Sequence, residues 1–349
     1  MIDIFKRATA HRRGLAAARA ALLGLAAVTL LSGAALAQDA VQPGLVYDMG
    51  GKFDKSFNEA AYNGAEAFKK ATGVEYRDFE VQNDAQREQA LRNFARRGLS
   101  PIVAIGFSQA AAVEEVAKEF PDTKFAIVDM VVDLPNVRSI LFQEHEGSYL
   151  VGMLAAMASK TGKIGFVGGM DIPLIRKFAC GYVEGAKAAN PNVEVFQNMT
   201  GTTGAAWNDP AKGGELAKSQ FDRGADVVYH AAGGTGIGVL QAAAEAGKLG
   251  IGVDSNQNYL HPGHVLTSML KRVDTAVEKA FTDAKDGKWT SGVYVLGLKE
   301  DGVGWSLDEY NKALITPEMQ AAADKAKAGI VDGSITVHDY MSDNACPAG

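Results

Sequence analysis

Five short segments carry side chains whose types and spacing could do chemistry: Asp48-Met-Gly-Gly-Lys-Phe-Asp-Lys-Ser-Phe57-Asn58, Gly106-Phe-Ser-Gln109, Asp129-Met-Val, Gly233-Gly-Thr-Gly-Ile-Gly238 and Asp254-Ser-Asn-Gln-Asn258. Each lies at the end of a short apolar or β-branched run. Taken singly, each is explained by an Asx-turn, a helix cap or a tight turn. Taken together they are harder to dismiss, because Asp48, Asp129 and Asp254 put carboxylates at the ends of three such runs, and capping needs only some of them. In an open α/β sheet the ligand sits beyond the carboxyl ends of the strands, so these turns are where function is expected.

Catalytic and cofactor motifs fail at the same places. Gly234-Thr-Gly236 continues Ile237-Gly238-Val239, which misplaces the third glycine of a dinucleotide fingerprint, and no Gly-Lys pair is followed by Ser or Thr as a P-loop needs. The segment from Asp254 opens like a calcium loop, but Tyr259 stands at its glycine and Val265 at its bidentate Glu. Gly106-Phe-Ser108-Gln-Ala110 lacks the second glycine of a nucleophile elbow, and a serine before a helix is commonly a cap. His145-Glu146 meets Tyr149 where a second His is needed, and His261 and His264 lack a third ligand at fixed spacing. No metal, no cofactor and no enzymatic activity are expected.

Composition is that of a folded globular chain. The chain has 349 residues, 47% apolar and 22% charged, with a net charge of -6; the two cysteines, Cys180 and Cys346, allow one bridge at most. Residues 1–37 hold five basic side chains (Lys6, Arg7, Arg12, Arg13, Arg19) against Asp3, so the remainder is more acidic than the whole. Binding of nucleic acid or an anionic membrane is therefore not expected. The basic opening, the apolar run Ala20–Leu36 and the Ala35-Leu36-Ala37 end read as a secretory signal cleaved after Ala37, by plain secretion rather than the twin-arginine route. No cysteine follows the apolar run, so the expected product is periplasmic and not lipid-anchored.

Strand-like runs at 45–47, 76–81, 102–105, 125–128 and 139–142 alternate with helical stretches at 56–71, 84–97 and 110–120. After a helix at 149–159 the pattern restarts, with strands at 164–167, 193–196, 227–229 and 251–253. Helices at 174–189, 210–223 and 236–246 lie between them. A strand at 265–269, a helix at 273–286, a strand at 293–298 and a helix at 317–328 are too little for a third domain. They read as returns of the chain to each half. The expected architecture is two doubly wound α/β lobes joined by several crossings with a hinge, the first made of 38–145 and 266–290, the second of 146–265 and 291–349.

Several blocks, in order, resemble the basic membrane protein family of ABC-transporter substrate-binding proteins, which are purine-nucleoside receptors with a type I periplasmic-binding fold. They are Phe53-Asp-Lys-Ser-Phe-Asn58 with Gly64, Glu146-Gly-Ser-Tyr-Leu150-Val-Gly, Phe166-Val-Gly-Gly169, Gly181-Tyr-Val-Glu-Gly185, and Gly252-Val-Asp254 with Leu266-Thr-Ser-Met-Leu-Lys271. The resemblance implies capture of a nucleoside between two lobes, delivery to a permease in the inner membrane, and action as a monomer. It implies that Asp48 meets the purine edge, Phe57 stacks on one face of the base, and Asn58 is the next position of the same motif. Asp129 corresponds to the acid ending the fourth strand; Gly233, Asp254 and Lys271 correspond to positions that meet ribose. The second stacking aromatic, usually Phe in the family, corresponds to Trp207. The family is largely lipid-anchored, and the missing cysteine sets this chain apart as free in a periplasm.

Such residue types suit a nucleoside. Stacking on an aromatic contributes roughly 1–3 kcal/mol per base, and carboxylates accept the N–H donors at its edge. Other roles open to these residues are a core position for Phe57, a hydrophobic staple for Trp207, and a surface pair between Lys271 and Asp274. Other functions open to the chain are a receptor for free purine bases or another small neutral solute, a periplasmic sensor that signals to a membrane kinase, and a nucleoside hydrolase.

Overall fold

The computed structural model describes residues 41–348; the expected signal peptide lies outside the described residues. The first five strands are β1 (Gly44–Tyr47), β2 (Arg77–Glu80), β3 (Ile102–Ala104), β4 (Phe125–Val128) and β5 (Val137–Phe142), with α1 (Phe57–Thr72), α2 (Ala85–Arg96) and α3 (Ala110–Glu119) between them. Strands β1, β3 and β4 are buried end to end, as apolar runs in the middle of a parallel sheet must be. Helix α4 (Glu144–Ala158) leads to β6 (Lys163–Met170), β7 (Glu194–Gly201), β8 (Val227–Ala231), β9 (Leu249–Asp254) and β10 (Val265–Lys271). Between those strands run α5 (Pro173–Ala189), α6 (Pro210–Asp222) and α7 (Gly236–Glu245), and the chain ends with α8 (Val273–Lys285), β11 (Gly292–Leu296), β12 (Val303–Trp305) and α9 (Pro317–Asp332).

The strands form two six-stranded sheets, ordered β11-β5-β4-β3-β1-β2 and β12-β10-β9-β8-β6-β7. All pairs are parallel except β10 with β12. In both, the strand order reverses beside the first strand of the unit, β1 or β6, which opens a crevice at the carboxyl ends. The two α/β lobes and their doubly wound topology are those expected from the sequence.

The lobe boundaries need correction. Strand β10, given above to the first lobe with 266–290, pairs with β9 and β12 in the second sheet. Strand β11, given to the second lobe with 291–349, extends the first sheet by pairing with β5. An apolar run shows that a strand exists, whereas the ladder it joins is decided by partners far away in sequence. The chain thus crosses between sheets after β5, after β10 and again after β11, with α8 returning to pack on α1. Helix α4 begins at Glu144 rather than at Tyr149, because its first residues, Glu144 and His145, are polar yet buried and so hide the helical period.

Aromatic packing fills both lobes. In the first, Phe68 meets Phe281 of α8 edge-on at 5.3 Å; in the second, Phe166 and Tyr182 surround Tyr229 at 5.4 and 5.2 Å. Cys180 on α5 is bonded to Cys346, which pins the C-terminal segment across that helix. Among the described residues no helix is long and apolar enough to cross a membrane.

Candidate ligand-binding site

Asp48 follows the last residue of β1 and is held by its own lobe. Its carboxylate accepts hydrogen bonds from Ser108 Oγ (2.8 and 2.7 Å to its two oxygens), from the Met49 amide (2.8 Å) and from Arg87 Nη2 (3.2 Å). Gly106 makes this possible. Its φ is 102°, and a Cβ there would stand 2.3 Å from Asp48 Oδ2. Asn58, in the first turn of α1, closes the Asp48 turn by accepting from the Asp48 amide (3.2 Å) and donating to the carbonyls of Asp48 and Gly51 (both 3.1 Å). The N-terminus of α1 is capped from outside by Asp54, which accepts from the amides of Ser56, Asn58 and Glu59 at 2.8–3.1 Å. Burial nonetheless pushes the Asp54 carboxyl up to about 7, against those three donors.

A second polar group draws on both sheets. Lys271, the last residue of β10, is 2% exposed and places Nζ 2.7 Å from Asp129 Oδ2, at the end of β4, and 2.9 Å from Glu144 Oε1, at the start of α4. Lys177 on α5 lies 3.0 Å from the other Glu144 oxygen. Burial raises Asp129 above the usual carboxylate range against the pull of Lys271. For Glu144 burial again opposes ionisation, but Lys271 and Lys177 overcome it and hold the group low. Burial works against the Lys271 charge too, yet Asp129, Glu144 and Asp254 raise its pKa. Among the described residues Asp129 Oδ1 and both Glu144 oxygens are buried with no hydrogen-bond partner, and Asp129 Oδ1, on the cavity wall, is an acceptor available to a ligand hydroxyl. The surface pair with Asp274 is not formed by Lys271; its neighbour Arg272 makes it.

Asp254 ends β9 with φ 63° and accepts from Ser56 Oγ of the first lobe at 2.5 Å. Two further bonds clasp the lobes at this point, Ser255 Oγ to the Ser56 carbonyl and Gln257 Nε2 to the Lys55 carbonyl, both at 2.9 Å. Burial raises the Asp254 carboxyl, opposed by Lys271 and by the Ser56 hydroxyl.

Between these groups lies a cavity. All eight residues singled out from the sequence line it: Asp48, Phe57, Asn58 and Asp129 from the first lobe, Trp207, Gly233 and Asp254 from the second, and Lys271 at the crossing. Trp207 ends a 3-10 turn, Gly204–Trp207, and rests on β6, where a Cβ on Gly169 would meet the indole at 2.1 Å. Gly233, with φ 55°, opens the turn into α7 beside the Trp207 carbonyl. Phe57 carries Lys271 Nζ 5.0 Å from its ring centroid. Other wall residues escaped the sequence reading, chiefly Phe107 and Phe178. Phe107 had a signal, since it sits inside one of the five turns; Phe178 reads as an ordinary core position of α5. Among the described residues no group of three or more His, Cys, Asp or Glu could hold a metal ion.

The model of the Bmp family, described as PnrA-like ABC transporter substrate-binding proteins, matches residues 42–339. The chain belongs to this family. A Lactococcus lactis subsp. cremoris relative named "ABC transporter nucleoside-binding protein BmpA" is 37% identical over 318 residues, covering 84% of this chain and 88% of its own. Basic membrane protein A of Borreliella afzelii is 32% identical over 292 residues, covering 81% and 87%. The crystal structure of an ABC transporter solute-binding protein from Aeropyrum pernix K1 superposes with a TM-score of 0.79 at 30% identity, over 86% of this chain and 93% of that one. The protein is thus a substrate-binding component of an ABC transporter, not an enzyme, and its partners are a ligand and a membrane permease.

One expectation is overturned by the same comparisons. Relatives from Pyrococcus abyssi, Pyrococcus horikoshii and Pyrococcus furiosus, 36–37% identical over 285 residues, are named lipoproteins, which points to lipid anchoring and conflicts with a protein that is not lipid-anchored. The expectation rested on a missing cysteine behind the apolar run, in a part of the chain outside the described residues.

Proposed function

We propose that the protein captures a purine nucleoside between its lobes and delivers it to the permease. The observation that carries this reading is the pairing, on one cavity, of aromatic walls with two polar ends of different chemistry. Phe57 and Trp207 stack on the faces of the base. Asp48, whose Oδ2 is engaged only by Ser108, accepts an N–H from the purine edge, and Asn58 holds the turn that presents it. At the other end Asp129, Asp254 and Lys271 offer acceptors and a donor to the ribose hydroxyls, with Gly233 bringing backbone close to the sugar. The name of the Lactococcus relative, nucleoside-binding, supports the substrate class.

A thermal-shift screen of guanosine, inosine, adenosine, free bases, ribose and amino acids tests the assignment. A ligand present at 100 times its dissociation constant adds about 2.7 kcal/mol of stability, a melting shift of several degrees. Nucleosides should give that shift and be recovered intact. A response to ribose or amino acids with none to any purine would sink the proposal, and released base would indicate a hydrolase.

A further inference from the structure

Glu144 does not line the cavity, is 1% exposed, and still carries a full carboxylate between two ammonium groups. Lys271 has three N–H donors. Asp129 Oδ2 takes one at 2.7 Å, and Glu144 Oε1 stands 2.9 Å away as an ion-pair partner without hydrogen-bond alignment, so the ammonium is held between two carboxylates. Glu144 is itself unable to swing, because Lys177 sits 3.0 Å from its other oxygen and is tied at 2.8 Å to the Phe142 carbonyl. Lys177 has a further acidic neighbour, Asp339 at 3.6 Å, in the segment that the Cys180–Cys346 bond pins across α5.

We propose that Glu144 is a positioning residue for Lys271, and that Lys177 holds Glu144 in place. Without the Glu144 charge, the Lys271 ammonium would be free to turn a second N–H toward Asp129 Oδ1, the buried oxygen that has no hydrogen-bond partner among the described residues. The site would then lose two ligand contacts at once, the free N–H of Lys271 and the free oxygen of Asp129. Neither Glu144 nor Lys177 needs to touch the ligand for this. The inference deepens the reading of Lys271 as a sugar contact and rests on it for its effect on affinity, but the geometry of the ammonium can be followed without any ligand.

The test uses the full chain with isotope-labelled lysine. The Lys271 ammonium resonance is identified by its loss in Lys271→Met; in the ligand-free protein it should be protected from solvent exchange, and Glu144→Gln should shift it and speed its exchange. Lys177→Met, which keeps Glu144 and removes its second cation, should move the same resonance by less, and it carries the test if Glu144→Gln does not fold. In parallel, Glu144→Gln should weaken guanosine binding at least about tenfold, the effect of losing a hydrogen bond to a charged group. In a Lys271→Met background the same substitution should change affinity less than about twofold, since a residue acting through another is non-additive with it. An unmoved resonance, or a penalty that multiplies undiminished onto Lys271→Met, overturns the proposal. A moved resonance in a protein that binds none of guanosine, inosine and adenosine would overturn the nucleoside reading and leave the positioning of Lys271 standing.

Discussion

At one end of the cavity Asp48 is surrounded by donors from its own lobe, Ser108, Arg87 and the Met49 amide, while at the other Lys271 reaches from the second sheet to Asp129 of the first and to Glu144 at the crossing. The first end is a corner in which several hydrogen bonds share one negative charge. The second is an alternation of buried charges, Asp129, Lys271, Glu144 and Lys177, none of which is satisfied without the next. The difference teaches where the molecule is sensitive. Losing one donor at Asp48 leaves others in place, whereas losing Lys271 strands Asp129 in a desolvated space and leaves Glu144 with Lys177 alone.

The largest effect should follow from Lys271→Met. Breaking a buried ion pair on one side costs about 3–5 kcal/mol of folding stability, measurable by urea denaturation, against about 1 kcal/mol for Asp48→Asn. The deficit of Lys271→Met should shrink as pH falls, because the stranded Asp129 escapes its penalty by taking up a proton. Equal losses at the two ends would break the comparison.

Next come the walls that join the two ends. Phe57→Ala and Trp207→Ala should each weaken nucleoside binding by about 1–3 kcal/mol in isothermal titration, with ligand also changing tryptophan fluorescence in the parent protein. Unchanged affinity in Trp207→Ala would pass the second stacking face to Phe107 or Phe178, which share the cavity wall.

A pH-dependent effect concerns Asp54, which caps α1 beside the Asp48 corner. Its carboxyl is raised from an ordinary 3.8 to about 7, so between those values the folded state keeps a proton that the unfolded state has lost. Its contribution to stability is therefore present at low pH and declines as pH rises toward about 7. Melting curves of Asp54→Asn and the parent protein should differ in slope over this window; parallel pH profiles would show that Asp54 titrates as an ordinary carboxylate.

The same contrast marks what was legible in the sequence. The Asp48 corner sits in turns that follow apolar strands directly, so Asp48, Phe57 and Asn58 could be named from local pattern and family resemblance. Lys271 and Asp129 could be named by position, but Glu144 could not, because the expected helix began at 149 and left Glu144 in the segment before it. Lys177 on α5 was hidden too. Burial of these charges depends on the packing of α4 against α5, which no local period reveals. The exchange of β10 and β11 between the sheets has the same origin: strand content is local, while strand pairing is not.

The central claim, a base at the Asp48 corner and a sugar at the Lys271 end, is tested most directly by titrating Asp48→Asn and Asp254→Ala with both guanosine and guanine. The account predicts that Asp48→Asn weakens both ligands alike, since both share the purine edge. Asp254→Ala should cost guanosine about 1–3 kcal/mol and leave guanine nearly unchanged. Equal losses for the two ligands in Asp254→Ala would contradict it, and would assign that carboxylate to the clasp with Ser56 rather than to a sugar.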